Sequence, residues 1–214
     1  MNLLTLTDTR LAALYQQTAH EIARRAKAAT NGHDPASLIS GNEMAKRALV
    51  VAAAGNHSIL FVGPPNCGKT MLRAVALQLS LGCTFEAGPC PCGYRDDPCR
   101  ACQCSWRQIE RHVRKLPVAD ISIEVVFPPE REMRTSGTTL AEMRRQVEAK
   151  SDHHSLDLDE DSRNLLRGAV VELGLDPSVR NRILAVARTI ANLDQSEGIE
   201  ARHLCEAINY RMPR

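Results

Sequence analysis

The sequence predicts an α/β fold: a shortened layer of strands and helices, followed by an all-helical C-terminal unit. Three observations carry this. Short strand-like runs stand near 58–62, 83–87 and 121–127, the first and last rich in Ile, Val and Phe. Segments with apolar residues at helical spacing alternate with them. The last sixty or so residues then change character, with three amphipathic stretches joined by tight loops and no further strand pattern.

The chain is organised around Gly63-Pro64-Pro65-Asn66-Cys67-Gly68-Lys69-Thr70. Ser58-Ile59-Leu60-Phe61-Val62 precedes it as a strand, and Leu72, Val75, Ala76 and Leu79 follow at helical spacing. Strand, glycine-rich loop and helix, with G-x-x-x-x-G-K-T at every fixed position, make a P-loop. A chance match in a chain of this length is on the order of one per cent. The glycines let backbone N–H groups turn towards a phosphate, and the helix N-terminus adds partial positive charge. Lys69 reaches the β- and γ-phosphates, and the Thr70 hydroxyl ligates the Mg²⁺ that accompanies the nucleotide. The predicted binding set is Gly63, Pro64, Pro65, Asn66, Cys67, Gly68, Lys69, Thr70 and Met71, with ATP or ADP as ligand.

Composition narrows the field. Charged residues are 24% of the 214, with a net charge of +2, so no global field points to nucleic acid or to acidic membranes. No apolar run approaches the roughly 20 residues that span a bilayer, and Met1-Asn2-Leu3-Leu4-Thr5 does not open like a signal peptide. A cytoplasmic protein with no membrane partner is the expectation.

The remaining elements follow in order. Residues 8 to 29 read as a helix with Leu11, Leu14, Ala19, Ile22 and Ala26 on one face, ended by Asn31-Gly32. A second, about 42 to 54, turns Ala45, Ala48, Leu49 and Ala52 inward and places Gly55 at its C-terminal cap. Ser105 caps a helix to about Lys115 with Trp106, Ile109, Val113 and Leu116 on one face and Arg107, Arg111, Arg114 and Lys115 elsewhere. Asp120 to Phe127 is the third strand, stopped by Pro128-Pro129. Residues 139 to 150 are helical, and Ser151 to Asp157 is a polar linker whose His153-His154 pair faces solvent.

In the C-terminal unit, Leu165, Leu166, Ala169, Val170 and Leu173 form one stripe, closed by Gly174. Asp176-Pro177 pairs an N-cap with a first-turn proline and opens a helix to about Leu193, buried through Val179, Ile183, Val186, Ala187 and Ile190. A last helix from about Glu200 buries Leu204, Ala207 and Ile208.

Five of the eight cysteines crowd into residues 90 to 104. In a reducing compartment they suit metal better than disulfides. Four thiolates satisfy a tetrahedral Zn²⁺, and the favoured set is Cys90, Cys92, Cys102 and Cys104, with Cys99 as substitute; reduced thiols in a Pro/Gly-fixed loop are the alternative. Cys67 and Cys205 read as packing residues.

Three blocks resemble AAA+ proteins of the magnesium-chelatase I-subunit type, in particular the ComM-like (YifB) branch. Gly41-Asn42-Glu43-Met44-Ala45-Lys46-Arg47-Ala48-Leu49 through Thr70-Met71-Leu72 is similar to the family's opening helix and Walker A. Ala87 to Gly93, Cys102-Gln103-Cys104 and the strand from Asp120 resemble its cysteine-rich insertion and next strand. Ile183 to Leu193 and His203 to Arg211 resemble its helical lid.

The resemblance implies a shortened form. The stretch bearing Walker B is missing between the P-loop helix and Cys83, and no apolar run ends in Asp-Glu. The sensor 1 position falls at Gly88, the arginine-finger position at Val118, and the sensor 2 position at Ser178, with Arg180 and Arg182 nearby. Glu86 and Glu124 are the nearest carboxylates for recruitment.

The expected organisation is an N-terminal helix and linker (1–40), a reduced P-loop ATP-binding domain (41–130) with a cysteine-rich insertion (88–105), a helix and linker (131–155), and a Mg-chelatase-related helical lid (156–214). The expected function is Mg-nucleotide binding with impaired hydrolysis, in a homo-oligomer or beside a complete AAA+ homologue. Two alternatives stand beside it: an active ATPase subunit acting on DNA with groups from a partner, and a zinc-stabilised nucleic-acid-binding protein built on Cys90–Cys104, Trp106 and the basic helix.

Overall fold

The computed structural model describes residues 36, 39, 41–127 and 137–211. The helix expected over 8–29 lies outside the described residues. The described chain runs α1 (Glu43–Gly55), β1 (Ile59–Val62), α2 (Lys69–Gln78), β2 (Thr84–Ala87), α3 (Trp106–Val113), β3 (Ile121–Glu124), α4 (Leu140–Glu148), α5 (Glu160–Glu172), α6 (Pro177–Leu193) and α7 (Ala201–Asn209). The result is a mixed α/β molecule with a small parallel sheet and, among the described residues, seven helices.

β1 lies between β2 and β3 and is parallel to both, so Ile59 faces Thr84 and Ile121, and Val62 faces Ala87 and Glu124. All four β1 residues are buried, as in a central parallel strand covered on both faces. β2, at the edge, is only half buried throughout. The third strand is shorter than expected. Val125 N–H still donates to the Val62 carbonyl (2.7 Å), and the ladder of β3 then ends before Phe127.

α1 packs against α2, β3, α4 and α6, and nearly its whole circumference is buried. Lys46 goes inside with it, 1% exposed, its Nζ 2.9 Å from Glu43 Oε1. Burial alone raises the Glu43 carboxyl, but the Thr138 hydroxyl and Lys46 outweigh it and hold the group below its ordinary range.

Gly55 does not act as the expected left-handed cap. It is the last helical residue, and Asn56 takes the left-handed conformation (φ 52°). Glycine is required at 55 because a Cβ there would overlap the His57 ring and the Thr189 hydroxyl.

The C-terminal helices form as their signals predict. Asp159 accepts from Ser162 N–H at the start of α5, and Asp176 accepts from Ser178 and Val179 N–H at the start of α6, with Pro177 in the first turn. α6 packs on α7, and α5 on α7. Arg188 is 6% exposed and donates to the carbonyls of Ser155, Ser196 and Glu197 and to Asn192 Oδ1, which closes the loops around α6. Two contacts tie this unit to the sheet layer. Ser122 N–H on β3 donates to the Tyr210 carbonyl (2.6 Å), and Arg47 on α1 reaches Glu206 and Asp194.

Two helical-face expectations need correction. Trp106 is 70% exposed although Ile109, on the same predicted face, is buried, and Leu173 is 56% exposed at the end of the α5 stripe. Helical spacing shows which residues share a face; it does not show whether anything packs opposite them. Cys205 is likewise exposed, whereas Cys67 is buried as expected.

Candidate functional site

The loop from Gly63 to Thr70 joins the C-terminal end of β1 to the first turn of α2. Its start is pinned on both sides. Gly63 N–H donates to the carbonyl of Ala87, the last residue of β2 (3.2 Å), and a Cβ at 63 would run into the Val125 carbonyl beyond β3, so only glycine fits. Asn66 (φ 64°) and Gly68 (φ 102°) both take left-handed conformations that curl the backbone, and the space over Gly68 is open. Such turns aim successive N–H groups into a concavity suited to an anion.

Lys69 closes the loop on itself. Its Nζ donates to the carbonyls of Gly63 (2.9 Å) and Pro64 (2.6 Å) and lies 3.7 Å from Cys67 Sγ. Burial pushes the Cys67 thiol up against the opposing pull of Lys69, so it stays a neutral packing group. Pro65, Asn66 and Thr70 are exposed, and Met71 is half buried against the core. The predicted loop residues are therefore one contiguous constellation with the cation at its centre.

Thr70 Oγ1 donates to Glu86 Oε2 on β2 (3.3 Å), and Glu86 Oε1 lies 3.7 Å from Arg73 Nη1. Glu124, the other carboxylate considered from sequence, is exposed on β3, across β1 from Glu86. Arg182 is no substitute at the loop. It lies close enough to Asp120 to help lower that carboxyl, and Asp120 accepts from the Ser58 backbone and hydroxyl at the opposite end of the strands.

The second constellation is the cysteine cluster. Cys90, Cys92, Cys102 and Cys104 bring their sulfurs within 4.8 Å of one another. Three of the separations are 3.3 Å (Cys90–Cys92), 3.6 Å (Cys90–Cys102) and 3.6 Å (Cys92–Cys102). A tetrahedron of thiolates with Zn–S bonds near 2.3 Å has edges of about 3.8 Å, so this donor set can hold a metal ion. Cys99 is exposed, and its backbone N–H is turned to Asp97 Oδ1. It is not in the cluster.

The Tyr94 backbone N–H, then the Cys90 thiol, pull Cys92 down to about 6. Cys102 is pushed up to about 12: the Cys104 backbone N–H opposes the rise, but burial and the neighbouring thiols carry it. One thiolate forms readily and its charge then disfavours the next, the situation a cation relieves.

Two family models match the chain. One, described as magnesium chelatase, subunit ChlI, covers residues 36–88, and the other, magnesium chelatase, subunit ChlI C-terminal, covers residues 129–211. Competence protein ComM of Haemophilus influenzae is 48% identical over 58 residues, 26% of this chain and 11% of that protein. Uncharacterized protein YifB of Escherichia coli is 50% identical over 46 residues, 22% of this chain and 9% of that protein. The YifB of Salmonella typhimurium is 50% identical over 36 residues, 17% of this chain and 7% of that protein.

The chain belongs to the ComM-like magnesium-chelatase family. Its aligned part spans about a tenth of the length of these curated relatives. The first matched stretch contains the 63–70 loop and Glu86, the second contains α4 to α7, and the cysteine cluster falls between them. The small parallel sheet with its flanking helices is consistent with a reduced AAA+ layer. The Thr70–Glu86 contact is the feature that sequence reasoning only half found: Glu86 was recognisable as a nearby acid, but its pairing depends on how β2 docks.

Proposed function

We propose that this ComM-like chain binds ATP or ADP with Mg²⁺ in a P-loop formed by residues 63–71, with little or no hydrolysis of its own. The observation that carries the reading is the fold of the loop around Lys69, which seats the ammonium among the Gly63 and Pro64 carbonyls at the N-terminus of α2. An arriving phosphate offers that ammonium better acceptors than two neutral carbonyls, and the helix N-terminus favours its charge. Thr70 presents a hard oxygen to the magnesium ion, which neutralises phosphate charge when bound.

Slow turnover follows from what surrounds the loop. Positioning the attacking water calls for a polar side chain, and an arginine offsets charge developing on the γ-phosphate, a group worth about 10³ to 10⁵ in rate. Arg182, one of the two sensor 2 substitutes read from sequence, lies close enough to Asp120, at the far end of the sheet, to help lower its carboxyl. Hydrolysis then depends on groups from another subunit, and the half-covered edge strand β2 is the natural place for a second AAA+ chain to pair.

Equilibrium binding of a fluorescent ATP analogue, set beside phosphate release, tests both halves. The expected result is saturable binding that Lys69→Ala weakens about tenfold or more, with phosphate release at background. Absence of binding overturns the reading, and brisk turnover by the isolated chain overturns its second half.

The cysteine cluster is proposed as a structural Zn²⁺ site, on the sulfur separations given above. A second functional reading, contact with DNA, is favoured by one observation: Trp106 is 70% exposed on α3, two residues after Cys104, in a helix that also carries the exposed Arg107 and Arg111. Aromatic faces and cations in that order suit stacked bases. Quenching of Trp106 fluorescence by single-stranded DNA, lost as salt rises, supports it; no quenching at low salt rejects it.

A further inference from the structure

We propose that Glu86 is the carboxylate that completes the magnesium site, so that the ion is held between Thr70 of the P-loop helix and an acid on the adjacent edge strand. The proposal rests on the nucleotide reading above and assigns it a ligand.

The geometry is that of a ligand pair. Thr70 Oγ1 and Glu86 Oε2 are 3.3 Å apart, and two oxygens at neighbouring corners of an octahedron with bonds near 2.1 Å are about 3.0 Å apart. A closure of a few tenths of an ångström converts one arrangement into the other. Hydroxyl and carboxylate are both hard oxygen donors, and magnesium is usually held by one or two carboxylates together with phosphate oxygens and water.

Both partners are fixed relative to the phosphate cup. Thr70 stands in the first turn of α2, directly after Lys69. Glu86 is in register with Phe61, and the next residue, Ala87, accepts the Gly63 N–H that begins the loop. α2 also packs on β2, so the two oxygens approach as parts of one rigid corner. Arg73, 3.7 Å from the other carboxylate oxygen, orients the group without covering the oxygen that faces Thr70.

The sequence leaves this task open, because no apolar run ends in Asp-Glu. A single carboxylate here supplies the metal ligand but not a second acid to position water. A site built this way predicts Mg-nucleotide binding without fast hydrolysis.

The test compares affinity for a fluorescent ADP or ATP analogue with Mg²⁺ and with EDTA, in the wild-type chain and in Glu86→Gln, Thr70→Val and Glu124→Gln, each checked for an unchanged melting profile. The wild type and Glu124→Gln are expected to bind about tenfold tighter with Mg²⁺. Glu86→Gln is expected to lose that gain while binding the metal-free nucleotide as well or better, because a negative charge beside the phosphates has been removed. Thr70→Val loses the gain as well, and gives an independent reading should Glu86→Gln misfold. Mn²⁺ titrated into the ADP complex and followed by electron paramagnetic resonance should bind about tenfold more weakly to Glu86→Gln. A full Mg²⁺ gain in Glu86→Gln overturns this inference and leaves the P-loop reading intact. No binding by the wild type in either buffer overturns both.

Discussion

Arg47 on α1 and Glu206 on α7 meet with Nε 3.0 Å from Oε1, and the same guanidinium reaches Asp194 at the end of α6 (3.3 Å). Tyr210, fully buried, donates its hydroxyl to the same Glu206 oxygen (2.7 Å), and burial pushes that phenol far up, with Glu206 adding to the rise. A single arginine thus fastens the sheet layer to the C-terminal helices across 159 residues of sequence.

Arg47→Ala should loosen that junction. The groups are half buried, so solvent discounts the pair, and the expected loss is about 1–2 kcal/mol in urea denaturation. Glu206→Gln keeps a hydrogen-bond acceptor for Tyr210 and should cost less. Equal losses in the two variants would show that the charge interaction alone, and not the hydrogen bonds or the packing of the arginine side chain, holds the junction.

Gly55→Ala sets two effects against each other. Helix propensity favours alanine by up to about 1 kcal/mol near a helix interior. The added methyl, however, would overlap the His57 ring and the Thr189 hydroxyl, which lie 2.8 Å apart in a hydrogen bond. Thr189 also donates to the Ala185 carbonyl, so His57 Nε2–H is the donor and neither side can retreat freely. Overpacking should win, with a net loss of about 1–3 kcal/mol in the unfolding free energy.

These positions show what a sequence discloses and what it does not. The elements were legible because their signals are local: Asp176-Pro177 for the start of α6, Ser105 for the start of α3, and the 58–70 strand and loop. The residues of the 63–70 loop could be grouped from sequence because they are contiguous. Arg47–Glu206 and the Thr70–Glu86 contact were not, since each depends on docking between separate elements. Gly55 was misread for a related reason, its role being set by a threonine 134 residues later. Trp106 and Leu173 show the converse, apolar residues on the right helical face with nothing opposite.

Acid sensitivity should begin near neutrality. Burial, then Arg202 and later Arg188, push His203 below its ordinary 6.5 against Asp194 and Glu200; burial and Lys150 do the same to His57 against Asp120. His203 is 1% exposed, with Nδ1 accepting the Glu200 N–H (3.0 Å). Both folded-state values lie below the unfolded ones, so the unfolded chain takes the proton first. Stability is complete above about pH 6.5 and falls as pH drops through the depressed values. Urea midpoints should decline from about pH 7 to 5, and His57→Gln with His203→Gln should flatten that slope without changing the later loss below about pH 4, where Asp120 and Glu43 protonate.

Metal analysis should find about one zinc ion per chain, the number four clustered thiolates hold. The cluster spans a segment with little other support, since Cys92 and Cys99 are exposed and α3 buries only Ile109. Its order therefore depends on whatever joins the sulfurs. Cys102→Ser removes a thiol 3.6 Å from both Cys90 and Cys92 and should abolish zinc retention and lower the melting temperature by several degrees. Cys99→Ser changes a thiol outside the cluster and should keep the metal and the wild-type melt. Zinc lost equally from both variants would show that the ion is held loosely by the segment as a whole. A metal-free protein whose melting is indifferent to Cys102→Ser would leave four reduced thiols in a loop fixed by other means.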